Sequence, residues 1–207
     1  MLVDAALELL GTEGAAGTSV RAVCAAARLN PRYFYESFAD LEALIVAVYD
    51  RLVTELGAAV FAAATMAKDD PAEQVRAMLD TVLRFVEDDP RRGRVLYVEA
   101  LGSESLNRRR VQTAHALVGL VEKAGAQRNG SLPAGEPIGG IAAAILVGGA
   151  GEMVISWLDG RIVATRQQLV DDATQLFIGI GRTAARIAAG RMPPASAAQT
   201  RSRRTRS

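Results

Sequence analysis

Side chains able to carry covalent or metal chemistry are scarce in this sequence. One cysteine, Cys24, and one histidine, His115, stand among 207 residues. That excludes an internal disulfide, a multi-cysteine metal site and most histidine-based metal or triad chemistry, and it suits a reducing, cytoplasmic setting. Cys24 shares an apolar helical face with Val20, Val23 and Ala27, so its expected role is that of a small core residue. His115 has no carboxylate or hydroxyl at a diagnostic spacing and implies neither a ligand nor a base. P-loop, dinucleotide and nucleophile motifs are absent. The reading is therefore of a protein that is not an enzyme, with no catalytic residue, no metal and no cofactor. The charges that remain are mostly guanidinium groups, since arginine outnumbers lysine 22 to 2, yet the formal net charge is only +1. A nucleic-acid binder ordinarily shows a basic excess, so composition alone does not point to one.

The elements that must position these groups are helices. Strand-like alternation is nearly absent, which makes the fold class all-α with about nine helices. Leu2, Ala6, Leu9 and Leu10, widened by Val3 and Leu7, form one face of a first helix that Gly11 and Gly14 loosen and end. Thr18 or Ser19 caps a second helix, through Ala27. Asn30 caps a brief third helix, opened by Pro31 and running to about Ser37. Asp40 caps a long fourth, whose stripe of Leu41, Leu44, Ile45, Val48, Leu52 and Leu56 persists to about Phe61. Further helices are expected over 71–87, 90–101, 107–127, 138–158 and 166–189. Arg128 to Pro137 reads as a mobile loop, and the chain from Gly190 as a disordered, arginine-rich tail.

Three short helices before a long one, with a tight turn between the second and third, is the helix-turn-helix plan. Residues 18–42, TSVRAVCAAARLNPRYFYESFADLE, resemble the operator-binding segment of the TetR family of transcriptional repressors. Thr18, Ser19, Val20 and Arg21 open the second helix, Ala25 to Ala27 lead into the turn, and Phe34, Tyr35, Phe38 and Glu42 close the motif. Asp4 to Leu9 and Gly14 look like the family's first helix. Weaker similarity continues at Val98 to Leu101 and at Trp157 to Gly160. The resemblance implies an N-terminal three-helix DNA-binding domain, residues 1–46, followed by a helical ligand-binding and dimerisation domain, residues 47–189.

On a recognition helix anchored by Phe34 and Phe38, Arg32, Tyr33, Glu36 and Ser37 are left toward solvent or a major groove. Arg32 is the first choice for a base contact, because guanidinium pairs bidentately with guanine. Tyr33 suits a thymine methyl or a phosphate. Tyr35 falls where the family has a phosphate-contacting tyrosine, Arg21 where it has a backbone or base contact, and Thr18 or Ser19 is placed to bond a phosphate. Three departures stand out. Arg28 occupies a turn position often taken by glycine, so it must adopt a left-handed conformation, at about 1 kcal/mol, or reshape the turn. Leu41 replaces a common lysine, and Glu36 would repel the DNA backbone. The basic turn that usually precedes the first helix is also missing, which implies either a start upstream of Met1 or fewer anchoring charges.

In the second domain, Ile138 to Leu158 is long enough to cross a bilayer and carries Glu152 as its only charge. Its glycines and buried acid read instead as a helix sunk in a protein interface, with no membrane partner. Ile145, Gly148, Gly149, Glu152, Trp157, Leu169, Leu176, Phe177 and Ile180 are the expected homodimer contacts. Phe61, Met78, Val82, Phe85, Tyr97, Glu99 and His115 are candidates to surround a hydrophobic or aromatic small-molecule effector. The expected function is a repressor that binds a palindromic double-stranded operator as a homodimer and is released by that effector. The alternative is a helical dimeric adaptor, or an effector-binding protein with weak or lost DNA binding. The alternative draws on Glu36, Leu41 and the acidic first helix; separately, residues 1–50 hold three arginines against seven carboxylates, a net of −4, while the tail supplies five arginines and no acid.

Overall fold

The structure, a computed structural model, describes residues 1–67, 69–100, 103–129 and 136–191, and they are helical almost throughout. The elements are α1 (Leu2–Thr12), α2 (Gly14–Gly17), α3 (Val20–Ala27), α4 (Pro31–Ser37) and α5 (Leu41–Met66), then α6 (Pro71–Glu87) and α7 (Pro90–Gly93). α7 runs directly into a π-helical segment, Arg94–Glu99, and is followed by α8 (Glu104–Asn129), α9 (Ile138–Leu158) and α10 (Arg166–Arg191). Local chemistry accounts for the starts. Ser19 Oγ accepts from the Ala22 amide at 3.2 Å, Asn30 Oδ1 from Arg32 at 3.0 Å, Asp40 Oδ1 from Ala43 at 2.8 Å and Asp70 Oδ1 from Ala72 at 3.0 Å. Each cap satisfies an amide that the first helical turn leaves unpaired.

Two apolar cores organise the chain. The first joins α1, α3, α4 and the front half of α5 around Leu10, Val23, Phe34, Leu44, Val48 and Leu52, all at most 1% exposed. It is completed by Val95, Leu96, Ala100 and Leu106. It therefore extends past the expected boundary at residue 46, and α5 runs through that boundary without a break. The second core is smaller: Leu83 and Val86 of α6 pack with Val154 of α9 and with Leu169 and Val170 of α10. Phe85 and Tyr97 touch both cores.

Several expected boundaries change. Gly11 does not loosen α1. It lies inside the helix, where a Cβ would come within 2.9 Å of the Arg91 Cα, so its missing side chain lets α7 approach. Gly14 is the actual corner, with φ at +76°, and it opens the short α2. α5 continues five residues beyond Phe61. The helix expected over 90–101 changes register at Arg94. The expected loop over 128–137 falls largely, and the tail beyond Arg191 entirely, outside the described residues.

Candidate nucleic-acid interface

α3 and α4 meet at a turn whose geometry follows from one residue. Arg28 takes the left-handed conformation (φ 54°, ψ 41°) in which the expected glycine would sit, and its amide reaches back to the Ala25 carbonyl at 3.1 Å. The turn thus keeps its shape and carries the strain. α4 is then held by Phe34, which is fully buried, meets Tyr35 edge-on at 5.3 Å between ring centroids and lies 6.0 Å from Phe38.

With Phe34 turned inward, Arg32, Tyr33, Tyr35, Glu36 and Ser37 are exposed, as are Ser19 and Arg21 on α3. The two tyrosines leave more than half of their surface in solvent. Arg32 Nε donates to Glu36 Oε1 at 2.9 Å, and Ser37 Oγ donates to the Tyr33 carbonyl at 3.0 Å. Thr18 is placed differently from its neighbours. It is 5% exposed and its hydroxyl donates to the Gly14 carbonyl at 2.8 Å, so it braces the corner and is withdrawn from any phosphate. Ser19 caps α3 by accepting a bond, which leaves its hydroxyl proton free to donate.

Electrostatics in this half are not those suggested by the count over residues 1–50. Asp4 pairs with Arg51, Glu8 with Arg91, and Asp50 takes Arg109 through both oxygens at 2.6 and 2.7 Å. These partners all lie beyond residue 50. Asp4, Glu8 and Asp50 are thus tied to arginines at the junction with the rest of the chain. Arg21 and Arg28 make no ion pair among the described residues, and Arg32 pairs only with Glu36.

The same junction contains a clamp that residue order alone did not reveal. Arg94 Nε donates to Glu99 Oε1 at 2.9 Å and its Nη1 to the Thr12 carbonyl at 2.8 Å, while Glu99 Oε2 accepts the Ala15 amide at 2.9 Å. Residues five apart lie about 140° apart around an α-helix, and the wider π turn brings them onto one side. Glu99 was expected among the effector contacts. Its carboxylate is instead spent on the corner between α1 and α2, with 13% of the side chain exposed.

The other expected pocket residues do not converge. Phe61 is 75% exposed and His115 is exposed. Val82 and Phe85 pack at the second core, Met78 is half-buried on α6, and Tyr97 lies between the cores. Burial and the neighbouring Tyr49 push the Tyr97 hydroxyl up to about 12. Two clefts open elsewhere, between α5 and α8. One, of about 370 Å³, is lined by Leu41, Glu42, Ile45, Ser103, Glu104, Ser105 and Arg108; the other, of about 240 Å³, by Asp50, Val53, Thr54, Arg109, Gln112, Thr113 and Ala116. Neither is lined by any of the seven expected residues. Their own lining residues carry no sequence signal beyond a position on helix faces.

On α9 and α10, Ile141, Ile145 and Leu176 are 49%, 54% and 67% exposed. Glu152 is exposed, Gly148 and Gly149 have open space where a Cβ would stand, and Phe177 and Ile180 are half-buried. Two expected interface residues face inward. Leu169 is 7% exposed within the second core, and Trp157 packs against that core while its indole N–H donates to the Ala164 carbonyl at 3.0 Å.

A capped helix pair with a buried aromatic anchor, an exposed row of arginine and tyrosine, and a long helix leading into a second helical unit form a helix-turn-helix followed by a helical domain. Residues 2–48 match the family described as bacterial regulatory proteins, tetR family, so the helix-turn-helix segment is similar to that family's DNA-binding domain. Its fold is similar to that of the fatty acid degradation regulator FadR from Bacillus halodurans, with a TM-score of 0.72 and 16% identity over 86% of this chain and 93% of that one. A transcriptional regulator from Pseudomonas aeruginosa aligns with a TM-score of 0.71 and 18% identity, covering 90% and 91%. FadR from Bacillus subtilis, solved in complex with stearoyl-CoA, aligns with a TM-score of 0.71 and 14% identity, covering 85% and 95%. No curated protein matches by sequence. Regulators of this family are not enzymes.

Proposed function

We propose that the protein is a cytoplasmic, homodimeric repressor that binds a palindromic operator through α3 and α4 and is released by an elongated apolar effector. The observation that carries the DNA reading is the exposed row of Ser19, Arg21, Arg32, Tyr33, Tyr35 and Ser37 around a turn held in shape by left-handed Arg28. Arg32 is assigned a base contact, and Arg21, Tyr35 and Ser19 phosphate contacts. The adaptor alternative loses part of its support, because the two acids of the first helix, Asp4 and Glu8, are paired with Arg51 and Arg91.

The dimer reading rests on α9, which is long and apolar enough to cross a membrane by composition yet is mostly uncovered by its own chain. A second copy related by a two-fold axis would cover it and would set two recognition helices about one DNA turn apart. For the effector, the α5/α8 clefts are favoured over the residues first expected. The first cleft is polar near Glu42 and Arg108, and further along the same two helices Phe61 of α5 and Leu120 of α8 are 75% and 61% exposed. An amphiphile with a polar head and a long chain fits that gradient, the shape of ligand held by the Bacillus subtilis FadR structure.

The test is titration of DNA fragments selected from a genomic pool, with and without long-chain acyl-CoA, free fatty acid or aromatic probes. Saturable binding with release by one ligand class is expected. Retention of DNA at saturating concentrations of every probe would remove the effector assignment while leaving the operator reading intact.

A further inference from the structure

Among the groups on the exposed face of α4, one arrangement does something the arginine alone does not. Arg32 and Glu36 stand one helical turn apart, both in solvent, and the carboxylate takes the Nε–H edge of the guanidinium at 2.9 Å. The Nη1 and Nη2 groups have no protein partner among the described residues. We infer that Glu36 is a positioning residue that aims Arg32 at a guanine in each operator half-site. This rests on the operator reading above and adds to it a second residue and the edge of the guanidinium that meets the base.

The chemistry follows from the planar guanidinium, which can pair with guanine O6 and N7 either side-on, through Nε and one Nη, or end-on, through its two Nη groups. Glu36 occupies Nε and thereby leaves the end-on mode. It also fixes the plane of a side chain that would otherwise sample many rotamers, so less freedom is lost when the base is bound. The pair is weak while it is exposed, but entry into a groove that excludes water strengthens it. Arg21 and Arg28 offer the contrast. Neither is held by a carboxylate, which suits contacts with phosphates that need charge without a fixed plane. Glu36 also carries a cost, because it places a negative charge close to the DNA backbone. A residue that lowers general affinity while sharpening one base preference has a signature of opposite signs: removing it raises non-specific binding and lowers specificity.

Selection from randomised DNA, followed by titration of single-base variants at fixed salt, reads both. The wild-type protein is expected to prefer guanine at one position of each half-site by about tenfold. Arg32→Ala should abolish that preference. Glu36→Ala should reduce it below about threefold at the same position and raise affinity for unrelated DNA. Glu36→Gln, which keeps an acceptor for the Nε–H without the charge, should retain most of it. Far-UV circular dichroism checks that these exposed substitutions leave the fold unchanged. A guanine preference intact in Glu36→Ala overturns the proposal and makes Glu36 a repelling charge only. Loss at a different position overturns it in favour of direct reading by Glu36, for example of a cytosine amino group. Absence of selective binding by the wild-type protein would instead remove the operator reading, and this inference with it.

Discussion

Leu10, Phe34, Leu44 and Leu52 in the N-terminal half, and Ile141, Ile145 and Leu176 in the C-terminal half, are side chains of similar chemistry with opposite fates. The first set is at most 1% exposed, closed on all sides by α1, α3, α5 and the segment after α7. The second is about half exposed or more, on helices that otherwise hold only a small core. Burying a leucine or phenylalanine completely is worth about 1.5–3 kcal/mol, so the first region is stabilised within one chain. The second leaves comparable apolar surface unburied, and a monomer rarely exposes such a patch without a partner. The difference fits the separate tasks proposed above: the helix-turn-helix half closes its core within one chain, and the other half leaves a surface for association.

The largest expected effect comes from making that association impossible. Ile145→Glu combined with Leu176→Glu adds carboxylates where a second copy would have to bury them, at several kcal/mol per charge. Both side chains point to solvent in the single chain, so folding should be preserved. Sedimentation is expected to show a monomer at concentrations where the wild-type protein is a dimer, with operator affinity falling at least a hundredfold. A dimer that survives both substitutions would place the interface elsewhere and dissolve the contrast between the two halves.

The next effect tests whether the closed half is held by the rest of the chain. Glu99→Ala leaves the Ala15 amide without its acceptor and Arg94 without its carboxylate. Hydrogen bonds to charged groups contribute about 1.5–3 kcal/mol, and denaturant unfolding should fall within that range. If the clamp only joins the halves, helix content at zero denaturant stays the same and only the midpoint moves. Arg28→Gly is a smaller change of opposite sign. Relief of the left-handed strain should stabilise the protein by about 1 kcal/mol, provided the backbone stays at φ 54°. No gain in urea midpoint would show that the Arg28 side chain offsets its own strain.

What the sequence made legible depended on the range of the interaction. Caps at Ser19, Asn30 and Asp40 act within three residues, and the helix starts read from them agree with the structure. The motif placed Phe34 as the anchor and left Arg28 either left-handed or reshaping the turn, and the structure has it left-handed. Features formed across long separations were not readable. Glu8 meets Arg91, Asp50 meets Arg109 and Glu99 meets Ala15 only because the fold brings them together. Nothing local at Arg94 announces a π turn, and Thr18 looks as free as Ser19 until its bond to Gly14 is seen. The expected pocket residues and the clefts differ for the same reason. Bulk and aromaticity do not say which helix faces part, and the α5/α8 clefts are lined by ordinary small and charged side chains.

The smallest effect is invisible at neutral pH and concerns the contact between the two halves. Tyr97 touches both cores, and burial, with Tyr49 beside it, raises its hydroxyl to about 12 against an ordinary 10. A folded-state value above the unfolded one means that the stabilisation is complete below about pH 10 and is lost as pH rises from there through about 12. The ionised phenolate then favours exposure, and the cores should separate where Tyr97 bridges them. Trp157, the only tryptophan, reports on the second core, and far-UV circular dichroism reports on all the helices. Above pH 10 the tryptophan signal should change at lower denaturant than the helical signal, because the smaller core loses its bridge first. Tyr97→Phe should narrow that gap while leaving stability at pH 7 nearly unchanged, with any residual alkaline loss carried by Tyr49, which burial also raises. Coincident transitions in the wild-type protein at every pH would mean that the two cores unfold as one, and that Tyr97 is packing and not a joint.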